Sequence, residues 1–130
     1  MNVYARIRTI ENQQEFKRLF NTLLAAEYKT DFQPTKDLND FGIDGYRKST
    51  KTVYAVYCPV YPERKERKKY IDKINSDLKK LKQAVKNKEV SLSIKEWLFV
   101  TPDDMEVKII DHIYQETKKE GWESGVVTAT

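Results

Sequence analysis

The sequence contains very little cysteine and histidine, the residues that form disulfides and most zinc sites. Its 130 residues include one cysteine, Cys58, and one histidine, His112. A single cysteine cannot close an internal disulfide, which suits a reducing compartment, and we therefore expect a cytoplasmic protein. One cysteine and one histidine also cannot supply the four ligands of an ordinary structural zinc site. These counts exclude small disulfide-rich domains and the usual zinc modules.

Long apolar runs are missing as well. No segment approaches the roughly 18 consecutive apolar residues of a membrane-spanning helix. Residues 1–10 lack the apolar core of a signal peptide, so we expect neither a signal peptide nor contact with a membrane. Internal repeats and low-complexity linkers are also absent from the sequence. The length supports one hydrophobic core, which predicts a single domain over residues 1–130. That domain could be the N-terminal part of a longer protein.

Charge and aromatic side chains are abundant. Charged residues make up 34% of the chain and aromatic residues 12%, which is typical of a folded, charge-rich domain rather than a disordered one. The formal net charge is +4 and the isoelectric point is about 9.0. This balance is compatible with a nucleic-acid partner but does not require one.

The spacing of apolar residues predicts three helices, over about 13–28, over 63–88, and from the acidic segment after Pro102 to Gly121. Asn12 and Glu15 form a capping-box pattern at the first of these. The stripes that we expect to face the core begin with Phe16 in the first helix and Tyr70 in the second. In the third helix the expected stripe is Val107, Ile110, Ile113 and Tyr114.

Between the helices, β-prone runs predict the strands of one sheet. An edge strand is expected at Phe32–Thr35, because it contains a proline. A hairpin is expected from Ile43–Arg47 and Thr52–Cys58, a buried strand at Trp97–Val100, and a last strand at Val126–Thr128. The second half alternates helix and strand, which predicts an α/β fold with a mixed central β-sheet flanked by helices.

The hairpin carries the most informative motif of the chain. Asp44 stands between Gly42 and Gly45 at the start of one strand, and an alternating run follows on the next. Because strand side chains alternate with period two, Ala55 and Tyr57 share one face beside Asp44. A simpler interpretation also exists, since aspartate and glycine are common in turns for local backbone reasons.

Together with the element order, this motif resembles the PD-(D/E)xK nuclease superfamily, and within it Mrr-type restriction endonucleases and related anti-phage effector domains. The resemblance covers most of the chain and implies a restriction-endonuclease-like fold. It rests on the segments Phe16–Leu24, Gly42–Tyr46, Val53–Pro59 and Trp97–Val100.

The resemblance implies site residues, and the chain matches them in part. The family's metal-binding aspartate corresponds to Asp44. Its second ligand and its lysine fall on Ala55 and Tyr57. Its first-helix glutamate falls on Lys17, and Glu15, two residues earlier, is a second candidate metal ligand. The implied cofactor is Mg²⁺.

Hydrolysis of a phosphodiester requires neutralisation of the phosphate and a deprotonated water, which Mg²⁺ held by carboxylates supplies and a lysine assists. Tyr57 retains a polar hydroxyl in the position of that lysine. Lys73 or Lys69, on the second helix, could replace the missing cation. Asp37 or Asp40 could replace the missing acid. The candidate catalytic residues are therefore Asp44, Tyr57 and Lys73.

Two functions follow from this pattern. The first is a metal-dependent DNA endonuclease or nuclease-fold effector of bacterial anti-phage defence, which contacts DNA through Lys65, Lys68 and Lys69. The second is a catalytically silent module of the same fold that binds nucleic acid or a protein. A third interpretation is a small phage or plasmid protein that mimics or inhibits such a nuclease. The lysine run is also compatible with a solvated helix face. The expected partners are DNA and either a second copy of the chain or a fused sensor or ATPase domain.

Overall fold

The computed structural model describes residues 13–35, 41–58, 67–102 and 104–128. In chain order its regular elements are α1 (Gln13–Tyr28), β1 (Phe32–Pro34), β2 (Gly45–Arg47), β3 (Thr52–Val56), α2 (Arg67–Lys86), β4 (Glu96–Val100), α3 (Val107–Lys118) and β5 (Glu123–Val127). The elements predicted from sequence are all found in this order. The predicted cap residue Asn12 lies outside the described residues.

The five strands form one mixed sheet in the order β1-β2-β3-β4-β5. The pairs β1–β2 and β2–β3 are antiparallel, whereas β3–β4 and β4–β5 are parallel. The connections explain the difference, because a tight turn over residues 48–51 joins β2 to β3, while helices cross over between the parallel strands. The predicted α/β class with a mixed sheet is confirmed.

Helices cover both faces of the sheet. Tyr54 and Val56 pack with Phe16 and Phe20 of α1 on one face. The alternate β3 residues Val53 and Ala55 pack on the other face with α2 and α3. The apolar stripe of α2 is largely as predicted, with Tyr70, Ile74, Leu78 and Leu81 buried.

The predicted core-facing stripe of α3 was wrong for three of its four residues, and only Ile113 is buried as expected. Val107 is 80% exposed, Tyr114 is 51% exposed and Ile110 is 44% exposed. The buried residues are Ile109, Ile113 and Thr117, which follow one another at intervals of four. Thr117 can lie in this buried stripe because its hydroxyl donates a hydrogen bond to the Ile113 carbonyl, 2.7 Å away. A prediction based on hydrophobicity alone therefore included three neighbouring residues that face solvent.

The two ends of the sheet are β1 and β5. The helix α3 ends before Gly121, whose backbone φ is +75° and whose N–H donates to the Lys118 carbonyl. The strand β5 then pairs with β4 along five residues. Within the described part of the chain, no helix is both long and apolar enough to cross a membrane.

Candidate functional site

Asp44 lies immediately before β2, beside the end of β3. Its backbone N–H donates to the Tyr54 carbonyl at 2.9 Å. Its carboxylate oxygen Oδ2 accepts a hydrogen bond from the Val56 N–H at 2.7 Å. Asp44 is therefore hydrogen-bonded to the residues on either side of Ala55. The resemblance places a second metal ligand at Ala55. This location is the carboxyl end of the parallel strands β3 and β4, where open α/β sheets usually bind ligands.

The helix α1 supplies a cation to this carboxylate. Lys17 Nζ lies 3.1 Å from Asp44 Oδ1, and both side chains are largely buried, with 15% and 13% exposed. Lys17 follows the buried Phe16 on the side of α1 that faces the sheet. An acid and a lysine that are far apart in sequence thus meet at the end of β3.

Ala55 and Tyr57 belong to the hydrophobic core on the other face of the sheet. Ala55 is fully buried. The Tyr57 ring packs edge-on against Tyr70, with ring centroids 5.4 Å apart, and lies 6.2 Å from Phe99. The ring of Tyr57 therefore has a packing role, whatever its hydroxyl contributes.

A second acid and lysine lie on α2. Lys73 Nζ is 3.1 Å from Asp77 Oδ1, and the Asp77 side chain is only 4% exposed. Burial raises the pKa of Asp77, the nearby Lys73 lowers it, and the charge of Asp44 raises it further. The candidate Lys73 is therefore close to the Asp44 region, and it is held there by an acid that the sequence analysis did not select.

The remaining candidate residues lie elsewhere or outside the described residues. Glu15 is exposed, and it stands two positions before Lys17, which is about 200° around a helix, so it is on the far side of α1 from Asp44. Lys68 is 87% exposed and pairs with Asp72 at 3.0 Å. Lys69 is also exposed. The candidates Lys65, Asp37 and Asp40 lie outside the described residues.

A groove of about 510 Å³ runs along α1 beside this site. It is lined mainly by polar and basic side chains: Gln14, Lys17, Arg18, Asn21, Thr22, Ala25 and Pro34. Lys17 belongs both to the groove and to the ion pair with Asp44. The groove therefore borders the candidate site at Lys17.

No group of three or more histidine, cysteine, aspartate or glutamate side chains is gathered as a metal site in the described residues. The arrangement instead consists of two acids, Asp44 and Asp77, each with its own lysine, Lys17 or Lys73. Such a site offers carboxylate oxygens, which hard divalent cations prefer, and cations that suit phosphate.

Sequence reasoning missed the roles of Lys17 and Asp77, although each leaves a signal. Both are charged residues next to buried apolar ones, since Lys17 follows Phe16 and Asp77 precedes Leu78. A charge beside a core stripe is costly to bury unless it finds a partner, and it is therefore informative.

Comparison of the chain with protein-family models, with curated proteins and with solved structures found no match. The resemblance to PD-(D/E)xK nucleases therefore rests on the residues and the element order alone.

Proposed function

We propose that the chain is a nuclease-fold domain of the restriction-endonuclease-like type that hydrolyses DNA with a divalent metal, as an effector of bacterial anti-phage defence. One observation carries the proposal, namely the Lys17–Asp44 pair at the carboxyl ends of β3 and β4. The order of one helix, three antiparallel strands, one helix and a parallel strand is the order on which the resemblance was based.

The chemistry would use the residues as follows. Asp44 would hold Mg²⁺, and the ion would supply charge neutralisation at the phosphate and a more acidic water. Lys17, 3.1 Å from the Asp44 carboxylate, would contact the phosphate. Lys73 supplies a further positive charge from α2.

The first prediction is that Asp44→Asn abolishes metal-dependent DNA cleavage. Loss of a metal ligand removes several kcal/mol of transition-state stabilisation, so we expect the rate to fall about 100-fold or more. The asparagine oxygen can still accept the Val56 N–H, so the fold should be retained. Cleavage of single-stranded and duplex DNA with Mg²⁺ and Mn²⁺ measures this effect.

The control is Asp111→Asn, which removes an exposed acid from α3, away from the lysines expected to contact DNA. Its cleavage rate should equal that of the wild type. If the wild type cleaves no DNA with either metal, or if Asp44→Asn cleaves as fast, the hydrolytic function is wrong.

A second candidate function is a catalytically silent module that binds nucleic acid. It is favoured by the contacts of Asp44, because its two carboxylate oxygens already contact Lys17 and the Val56 N–H and a metal ion would have to compete with them. In this case the chain would bind DNA through the lysines of α2 and the groove along α1 without cutting it.

The second prediction concerns DNA binding, which both functions share. We expect Lys68→Glu/Lys69→Glu to weaken binding on all sequences alike, and Arg18→Glu in the groove to do the same. Each neutralised phosphate releases about 0.9 counterion on duplex DNA, so each variant should also reduce the dependence of affinity on salt. Fluorescence anisotropy over a series of salt concentrations measures both quantities.

The control for DNA binding is Lys86→Glu at the other end of α2, which makes the same charge change as Arg18→Glu and half that of the double variant. Lys86 lies about 25 Å along the helix from Lys69. If Lys86→Glu weakens binding as much as the other variants do, the effect reflects net charge and not a defined surface.

A further inference from the structure

Asp77 is a buried acid that its surroundings stabilise only in part. Its oxygen Oδ1 contacts Lys73 at 3.1 Å. Its other oxygen, Oδ2, is buried and has no hydrogen-bond partner among the described residues. A buried carboxylate oxygen without a partner destabilises a fold. Packing alone therefore does not explain why an acid occupies this position.

The loop that carries Asp44 packs directly on the backbone of Asp77. A Cβ atom placed on Gly42 would lie 2.5 Å from the Asp77 carbonyl oxygen, so loop and helix are in the closest contact that glycine allows. Asp44 follows two residues later, and its charge acts on the Asp77 carboxylate. The loop that carries Asp44 and the helix that carries Asp77 are therefore in contact at Gly42.

We infer that Asp77 and Asp44 together bind a divalent cation, Mg²⁺ or Mn²⁺, and that Asp77 replaces the ligand missing at Ala55. The inference rests on the proposed function for the role of the metal, but it makes a separate claim about which residues hold it. Asp77 Oδ2 provides a buried carboxylate oxygen with no other partner, and hard cations prefer such oxygens.

Without a metal ion, the two acids are neutralised by lysines. Lys17 and Lys73 each neutralise one of the two acids. A metal ion that binds Asp44 Oδ1 competes with the Lys17 ammonium for that oxygen. Removing the Lys17 charge should therefore strengthen metal binding, although the same change would remove a cation that the DNA phosphate needs.

The third prediction tests this assignment by titration of Mn²⁺ into the full chain by calorimetry at neutral pH and low salt. Asp77→Asn and Asp44→Asn should each weaken Mn²⁺ binding about tenfold or more, as expected for lost metal-site groups. Lys17→Met should bind Mn²⁺ more tightly than the wild type. Such a gain cannot arise from unfolding, so it protects the test against a variant that fails to fold.

The matched control for metal binding is Asp72→Asn. Asp72 pairs with Lys68 four residues earlier, as Asp77 pairs with Lys73, but it is 60% exposed. Its affinity for Mn²⁺ should be unchanged. The inference is overturned if the wild type binds no Mn²⁺, if Asp77→Asn binds as the wild type does, or if Asp72→Asn weakens binding equally.

The outcomes separate this inference from the proposed function. If Mn²⁺ binding depends on Asp44 and Asp77 but no DNA is cleaved, the metal site is correct and hydrolysis is wrong. If cleavage depends on Asp44 but is untouched by Asp77→Asn, the hydrolytic function is correct and the role of Asp77 is wrong.

Discussion

Replacing Gly42 by alanine should lower the free energy of unfolding by about 3 kcal/mol or more, by adding backbone strain to overpacking. Gly42 has a φ of +74°, a region that side chains with a Cβ rarely occupy. The added Cβ would also lie 2.5 Å from the Asp77 carbonyl oxygen and 3.1 Å from its Cα. Both atoms are backbone atoms of α2, so the loop or the helix must move. Chemical denaturation in urea measures the loss.

The chain contains a control with the same backbone angle. Gly121 has a φ of +75°, but a Cβ placed there meets no atom within 4 Å. Gly121→Ala therefore keeps the backbone strain and omits the steric clash, and it should cost about 1 kcal/mol. Equal losses in the two variants would show that the close approach of Gly42 to Asp77 does not contribute to stability.

The Gly42 variant also reports on the site. Because Asp44 lies two residues beyond Gly42, a displaced loop would separate Asp44 from Asp77. At a temperature where Gly42→Ala is still folded, it should therefore bind Mn²⁺ more weakly than Gly121→Ala does.

Deleting residues 125–130 should lower the free energy of unfolding by about 3 kcal/mol, a large part of the roughly 5–15 kcal/mol of a typical domain. The deletion removes three residues of β5, with their hydrogen bonds to β4, and exposes the neighbouring strand. It also removes Val126, which packs against the core. The Thr101 N–H would lose its acceptor, the Val127 carbonyl 3.0 Å away. Thermal unfolding followed by circular dichroism measures the change.

A conservative control for the deletion is Val127→Thr. Val127 is 38% exposed, and threonine suits a strand as well as valine does, so the melting temperature should hardly change. An unchanged melting temperature in the deletion variant itself would mean that β5 adds nothing to the sheet.

The same proteins also test whether β5 is the surface at which a second copy of the chain binds. β5 forms an end of the sheet, and the neighbouring helix α3 exposes Val107, Ile110 and Tyr114. Sheet edges and exposed apolar residues are sites at which proteins associate. Sedimentation of the full chain and of the deletion variant would show whether a second copy binds there.

The elements with strong periodicity could be predicted from sequence to within a few residues. The bounds of α1, Gln13–Tyr28, are those predicted, because Phe16 and Phe20 lie one turn apart and both face the sheet. The hairpin was predictable because its strands are close in sequence and joined by a short turn. The buried side of α3 could not be predicted in this way, because Thr117 is polar yet buried and Val107 is apolar yet exposed.

The candidate site was predictable at Asp44 but not at the residues around it. The resemblance to the nuclease motif located Asp44 and directed the search to neighbouring strand positions, where Ala55 and Tyr57 stand. The side chain that contacts the Asp44 carboxylate is instead Lys17 of α1, and the loop of Asp44 packs on α2 through Gly42. Such contacts depend on how helices pack on the sheet, and the spacing of residues within one element does not report this packing.

The hydrogen bond from the Val56 N–H to the Asp44 carboxylate links the last residue of β3 to the candidate site. The amide proton of a neighbouring strand residue senses only sheet pairing, whereas that of Val56 also senses the charge on one carboxylate. In a nitrogen-15 NMR spectrum, the Val56 resonance should therefore shift whenever Asp44 exchanges Lys17 for another cation. In nitrogen-15-labelled protein, a single backbone amide thus serves as an internal reporter of site occupancy, without an added chemical probe.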